Sequence, residues 1–127
     1  MIVDEATQIA TIQAIEEIRK QVIWKPQKSI PHLQKRINLG HLPQEATLAQ
    51  YNAIITSIVT SRDAKVYLYR HETIIYPTLV AIIENRVWLV MIGLDGVLET
   101  AFPPDNPERY LSKPQFFYWG SVQELKI

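Results

Sequence analysis

The amino-acid sequence predicts an α+β fold, in which N-terminal helices pack on one face of an antiparallel β-meander of about four strands. Two observations favour it. Up to about residue 61 the apolar residues recur at three- and four-residue spacing, whereas from Lys65 onward they form short runs rich in branched and aromatic side chains. The turns between these runs are too short for the crossover that parallel strands require, so neighbouring strands are expected to run antiparallel.

Residues 4–23 are predicted to form the first helix. Asp4 is a favourable N-cap residue, and isoleucines recur at helical spacing along one side of the segment. The many β-branched residues lower its intrinsic helix propensity, so this helix depends on packing against the rest of the domain. The segment 24–29, which contains Pro26, then interrupts the pattern as a loop.

Two further helices are predicted, over residues 31–38 and 47–61. Gly40 suits a stop after the first of them, because glycine accepts the left-handed conformation that often ends a helix. Thr47 and Gln50 have the spacing of a capping box at the start of the second helix, along which the apolar residues form one stripe.

The second half of the chain contains four predicted strands. They are KVYLYR from Lys65, TLVAII from Thr78, RVWLVMI from Arg86 and VLETAF from Val97. Residues 84–85 and 93–96 are predicted turns, the second because Asp-Gly accepts positive φ angles. The proline-rich segment 103–115 is predicted to be a loop with one helical turn at 107–111, and FFYWGSV to be a last, edge strand.

Length and composition indicate a single domain over residues 1–127. It comprises an N-terminal helix and loop (1–30), a helical segment (31–62) and a sheet with its C-terminal tail (65–127). The hydrophobic fraction of 47% and the charged fraction of 20% are those of an ordinary globular protein. A chain of this length can bury a core without disulfide or metal staples.

The composition excludes several kinds of site. The chain has no cysteine, which excludes disulfides, thiol nucleophiles and cysteine-ligated metal centres, and neither a metal nor a cofactor is expected. Thirteen basic residues balance thirteen acidic ones, so nucleic acid would have to be bound by a local basic patch. The acidic start is unlike a secretory signal and no apolar stretch is long enough to span a membrane, so a cytoplasmic location is expected.

The segment PHLQKRINLGHLP, residues 31–43, contains the main candidate site. On a helix, His32 lies three and four residues before Lys35 and Arg36, so the three side chains share one edge. The helix dipole disfavours the protonated imidazole near the first turn, and a neutral His32 is suited to general-base catalysis. Lys35 and Arg36 are suited to hold a phosphate, and His41 to be the matching acid.

These residue types are what RNA cleavage without a metal requires. One group activates the ribose 2′-OH, another protonates the leaving oxygen, and cations stabilise the crowded phosphorane. The same residues have an alternative interpretation, because a basic pair on a short helix is commonly a solvated face and a histidine beside proline is commonly a cap or loop residue. Spacing alone does not decide between the two.

Polar residues of the predicted sheet offer further candidates. Arg70 alternates onto one face of the first strand, where it would either reach a phosphate or be a charge at the sheet edge. His71 would either line a cleft or be an exposed turn residue. Thr100 is a good strand former and needs no function to explain it, and Glu99 points to the opposite face of that strand.

Two segments together resemble a known family. PHLQKRINLGHLPQEATLAQYNAII contains a histidine, basic residues, a second histidine and then Thr-x-x-x-Tyr. WLVMIGLDGVLETAFPPDNPERYL contains an apolar strand, an Asp-Gly turn and a strand that ends in Thr-Ala-Phe-Pro. With the order of elements, this pattern resembles the barnase–EndoU–colicin–RelE-like superfamily of small toxin ribonucleases over roughly residues 30–111.

The resemblance implies a metal-independent endoribonuclease that cleaves RNA through attack of the 2′-OH. His32 matches the family's helix histidine, a candidate acid or base, and His41 matches a second histidine that some members have. Lys35 and Arg36 match the basic positions at the scissile phosphate. Proteins of this family usually act as toxins and are held inactive by a cognate antitoxin or immunity protein, so the implied partners are RNA and such a protein.

The sheet contributes to the implied site as well. Thr100 matches a hydroxyl residue that hydrogen-bonds the phosphate or orients the nucleophile. The strand arginine usual in such sites has no firm counterpart here, and Arg70 and Arg86 are the candidates for it.

A non-catalytic protein-binding module of antitoxin, immunity or adaptor type is the alternative. The neutral net charge and the apolar C-terminal tail favour it, and a homodimer that pairs through the C-terminal strand is a third option. If His32, His41 and Thr100 meet in one cleft with a basic residue, the enzyme is favoured over the binding module.

Overall fold

Helices precede an antiparallel sheet in the computed structural model, which describes residues 3–127. The helices are α1 (Glu5–Lys20), α2 (Ser29–Asn38), α3 (Leu48–Val59), α4 (Pro107–Leu111) and α5 (Val122–Leu125). The strands are β1 (Lys65–His71), β2 (Ile74–Ile83), β3 (Arg86–Ile92), β4 (Leu98–Phe102) and β5 (Phe116–Ser121). The predicted α+β class is confirmed. Residues 1 and 2 of the predicted N-terminal segment 1–30 lie outside the described residues.

Caps fix the starts of α1 and α3 as the sequence predicts. The Asp4 carboxylate accepts a hydrogen bond from the Thr7 N–H at 2.7 Å. At α3 the Thr47 hydroxyl accepts from the Gln50 N–H at 3.2 Å, while the Gln50 side-chain oxygen accepts from the Thr47 N–H at 2.9 Å. This is the reciprocal pattern of a capping box.

The end of α1 differs from the prediction because the chain turns toward the sheet. The helix ends at Lys20 rather than at residue 23. The Leu98 N–H donates to the Ile23 carbonyl at 2.8 Å, and Trp24 forms a parallel bridge with Leu98. These backbone contacts require extended residues, and they outweigh the helical pattern of the apolar side chains.

The strands form one sheet in the order β4-β3-β2-β1-β5. The first four strands make the predicted meander, and β5 pairs antiparallel with β1 as an edge strand. β2 begins at Ile74 rather than at the predicted Thr78, so Pro77 lies inside it. Pairing with β3 begins only at Thr78, and a proline is tolerated where one side of a strand is unpaired.

Both faces of the sheet are covered. The main core lies between the sheet and the three N-terminal helices, and its largest fully buried side chains include Tyr51, Ile15, Ile18, Ile55 and Ile58. A smaller cluster on the other face contains Val80, Leu89 and Met91, packed against Tyr67, Phe102, Tyr110 and Phe116. Helix α4 thus covers a face that the sequence analysis left uncovered. None of the helices in residues 3–127 has the length and apolar content needed to cross a bilayer.

The β2–β3 turn offers a test of backbone strain. Glu84 and Asn85 both have positive φ, 50° and 64°, as a two-residue hairpin of the primed type requires. Asn-Gly is the preferred sequence for such a turn. We expect the double substitution Glu84→Asn with Asn85→Gly to raise the free energy of unfolding by about 1 kcal/mol, measured by urea denaturation. The control Glu45→Asn removes an exposed loop carboxylate and should have little effect. If the double variant is no more stable than this control, the turn is not strained.

Candidate functional site

The C-terminal end of α2 folds His41 back onto Arg36. The His41 N–H donates to the Arg36 carbonyl at 2.8 Å, and the Gly40 N–H donates to the Ile37 carbonyl at 3.0 Å. With Gly40 at a φ of 74°, these bonds form a Schellman motif. Such a motif brings the residue after the glycine next to the residue five positions before it, which here joins a histidine to an arginine.

A cleft of about 420 Å³ opens between this helix end and the edge strand β4. Four of the residues predicted for the site line it: Lys35, Arg36, His41 and Thr100. The other lining residues include Leu39, Phe102 and Asp105. Thr100 is opposite Met91 in the β3–β4 register, which places its side chain on the sheet face that α4 covers in part. The structure therefore brings these four residues together.

Arg36 is the most unusual residue of the cleft. It is only 4% exposed, its Nε has no hydrogen-bond partner, and no ion pair involves it among residues 3–127. Its terminal nitrogen lies 3.2 Å from His41 Nδ1, and its guanidinium carbon lies 5.4 Å from the centre of the Phe102 ring. Burial lowers the pKa of Arg36, yet a guanidinium stays protonated in proteins. The cleft thus contains a buried positive charge that forms no ion pair, although the carboxylate of Asp105 lines the same cleft.

The contact with Arg36 determines the protonation of His41. A guanidinium only donates hydrogen bonds, so Nδ1 of His41 accepts and the neutral imidazole carries its proton on Nε2. Burial lowers the pKa of His41, the positive charges of Arg36 and Arg86 lower it further, and Asp105 opposes them. Nε2 is therefore a hydrogen-bond donor, and an anion in the cleft would favour protonation of the whole ring, which breaks the hydrogen bond that Nδ1 accepts from Arg36.

His32 lies one helical turn before Arg36 and does not line the cleft, so the arrangement expected of the enzyme is met by His41, Thr100 and Arg36 but not by His32. It is half-buried, and its ring centre lies 5.3 Å from that of Trp24. Burial is the main cause that lowers the pKa of His32, followed by the charges of Arg36 and Lys35, while Glu99 opposes them. The helix dipole predicts a neutral His32, and burial among cations lowers its pKa in the same direction.

Glu99 is an extra residue on β4. The register shifts between Leu98 and Thr100, so Glu99 has no partner on β3 and forms a β-bulge. Its carboxylate forms an ion pair with Lys25, and this hydrogen bond raises the pKa of Lys25. The negative charge of Glu99 also opposes the lowering of the pKa of His32, an influence that alternation along a regular strand did not indicate.

Arg70 and His71 lie away from the cleft. Both are exposed near the end of β1, and β2 and β3 separate that strand from β4. The structure does not bring Arg70 to the other predicted phosphate ligands. Of the two candidate strand arginines, Arg86 is the one whose charge acts on His41.

Two aromatic residues without a predicted role in the site, the half-buried Trp24 and the buried Tyr51, connect the two sides of the cleft. Trp24 donates from its ring nitrogen to the Asn52 side chain at 2.9 Å, and its ring lies between those of His32 and Tyr51. The Tyr51 hydroxyl donates to the Ala101 carbonyl on β4, and burial raises the pKa of Tyr51 to about 12. No local pattern signals these contacts, since they join residues far apart in the chain.

No group of three or more histidine, aspartate and glutamate side chains in residues 3–127 is placed to hold a metal ion.

The Schellman motif predicts a specific role for Gly40. A Cβ atom at this residue would have no neighbour within 4 Å, so a larger side chain causes no clash. The only cost of substitution is the strain of the positive φ. We expect Gly40→Ala to lower the free energy of unfolding by about 1 kcal/mol and Gly40→Asn to lower it less, measured by urea denaturation. An alanine variant as stable as the asparagine variant would contradict this role.

Comparison with known proteins finds no match: no family model matches the chain, and no curated protein or solved structure is significantly similar to it. The resemblance to toxin ribonucleases therefore stays a prediction, and the argument for a function depends on the cleft around Arg36.

Proposed function

We propose that the protein is a metal-independent, toxin-like endoribonuclease that cleaves RNA in the cytoplasm through attack of the ribose 2′-OH. The observation that carries the proposal is the buried guanidinium of Arg36, which has no carboxylate partner and borders a cleft shared with Lys35, His41 and Thr100. A buried charge is costly unless it is paired, so this arrangement favours an anion supplied by a ligand.

A phosphodiester fits the groups that line the cleft. Arg36 supplies planar donors at the cleft, although its unpaired Nε is itself buried, and the exposed Lys35 adds a second positive charge. The His41 Nε2–H and the Thr100 hydroxyl are neutral donors. Donors around an oxyanion stabilise the charge that develops in a phosphorane more than the charge of the ground state.

In this mechanism His41 is the general acid. The phosphate places negative charge beside its ring and offsets the neighbouring arginine, so the pKa of His41 rises when the substrate binds. The imidazolium then protonates the 5′ oxygen as it leaves.

His32 is the general base in the same proposal. Burial, and then the charges of Arg36, Lys35 and Lys28, lower its pKa and favour the neutral form near pH 7. Because His32 lies outside the cleft, this role requires the ribose of the bound RNA to extend past Arg36 toward it. His32 then takes the 2′-OH proton, the 2′ oxygen forms a bond to phosphorus, and the bond from phosphorus to the 5′ oxygen breaks. The products are a 2′,3′-cyclic phosphate and a free 5′-OH, and the two histidines end with exchanged protonation states.

A binding module is the second candidate, because Arg36 would also accept a carboxylate from a protein partner. The balance of thirteen basic and thirteen acidic residues favours this candidate, since it gives no bulk attraction to RNA. An antitoxin or immunity protein that inserts an acidic side chain into the cleft would suit both candidates. Pairing of two chains through the open edge of β5 is a separate proposal.

Cleavage of a labelled RNA oligonucleotide tests the enzyme directly. We expect cleavage to persist in excess EDTA, to leave 2′,3′-cyclic phosphate ends, and to be absent with the same sequence made of 2′-deoxynucleotides. His41→Ala and His32→Ala should each lower the rate by about 10² to 10⁴-fold, as loss of an acid or base does.

The third histidine provides the matched control. His71→Ala removes an exposed imidazole at the end of β1, which β2 and β3 separate from β4, and should leave the rate unchanged. Circular dichroism establishes that each variant is folded. Two results together would favour the binding module over the enzyme. The wild-type protein would leave the RNA intact, and it would bind an acidic peptide that the His41→Ala variant does not bind.

The protonation of His41 predicts how anion binding depends on pH. Sulfate keeps its charge between about pH 8 and pH 5, so only the protein titrates in that range. The pKa of His41 is lowered in the free protein and rises with the anion bound, so sulfate affinity should increase as the pH falls through the bound-state pKa and level off below the free-state pKa. Calorimetry across this pH range measures the sulfate affinity of the wild-type protein, of His41→Asn and of the control His71→Asn. A wild-type affinity that does not depend on pH would contradict a contact between the anion and His41.

A further inference from the structure

A second cavity adjoins the cleft. Its volume is about 540 Å³, within the range of sites that bind small molecules. Its walls come from the α2–α3 connection, from α3 and from the β2–β3 hairpin. Among the residues that line it are Pro43, Gln50, Ile54, Arg86 and Trp88.

His41 lines both spaces, so the two adjoin at this residue. Arg86 is close enough to lower the pKa of His41 from the side of the second cavity, as Arg36 does from the first. A ligand held by Arg36 and His41 therefore has room to continue past His41 into the second cavity.

The walls of this cavity suit a neutral, flat and partly polar group. Ile54 and Trp88 supply apolar surface, and Trp88 is only 3% exposed, so it is fixed by the core. The Gln50 side-chain oxygen already accepts the Thr47 N–H, which leaves the amide N–H groups as donors. Arg86 is accompanied by Glu84, so their charges offset and a second phosphate gains little.

We propose that this second cavity binds the nucleobase of a nucleotide whose phosphate occupies the cleft at Arg36. The inference rests on the proposed function, and it adds that the cleavage site is chosen by a base next to the scissile phosphate. Apolar and aromatic walls with a few donors are what a base requires, since its faces are apolar and its edge carries acceptors.

Calorimetry with two kinds of probe, phosphate alone and a nucleotide, tests the cavity. The probes are inorganic phosphate and the 3′-monophosphates of adenosine and uridine. We expect the wild-type protein to bind at least one nucleotide about tenfold more tightly than phosphate, as contact with one base provides. Ala53→Phe introduces a ring at the cavity wall and should reduce nucleotide affinity to that of phosphate without changing phosphate affinity.

The control is Ala49→Phe, which places the same ring on an exposed residue of α3 that lines neither space. It should leave both affinities unchanged. If phosphate binds and neither nucleotide binds more tightly, the cavity is not a base site, although the proposed function stands. If nucleotide affinity is higher but insensitive to Ala53→Phe, the base lies elsewhere and the inference fails. If neither probe binds, the inference and the proposed function fail together.

Discussion

The buried charge of Arg36 is the constraint around which the cleft is arranged. A guanidinium that is nearly removed from water, and has no carboxylate partner in residues 3–127, must be stabilised by weaker interactions. The Phe102 ring provides one, the His41 nitrogen provides a second, and the carbonyls at the end of α2 provide a third through the helix dipole. Each of these compensates the charge only in part, and this is the basis for proposing an external anion as its partner.

Rigid contacts hold the two sides of the cleft in place. Trp24 packs on His32 and Tyr51, and Tyr51 reaches β4 through its hydroxyl. Helix α2 and the edge strand are thereby joined through the aromatic rings of Trp24 and Tyr51 instead of a loop. This matters for chemistry, because donors stabilise a transition state most when they are oriented before the substrate arrives.

Local signals predicted much of the fold, and contacts between distant residues explain where they failed. Gly40 marks the end of α2 through its own backbone preference, so sequence alone could indicate that stop. The start of β2 was missed because Pro77 is acceptable only where pairing with β3 has not begun, which depends on another strand. In the site, the residues near the end of α2 were predictable from spacing, Thr100 entered only through the resemblance, and the role of Trp24 required the folded chain.

Phe102 belongs to two parts of the molecule at once. Its ring lies against Arg36 on one side, and on the other it meets Tyr110 of α4 edge-to-face, with 5.5 Å between the ring centres. A mutation of this residue therefore changes both the electrostatics of the cleft and the packing of the smaller cluster on that face of the sheet. The two properties cannot vary independently. Selection on either the cleft or the packing therefore restricts which side chains residue 102 can carry.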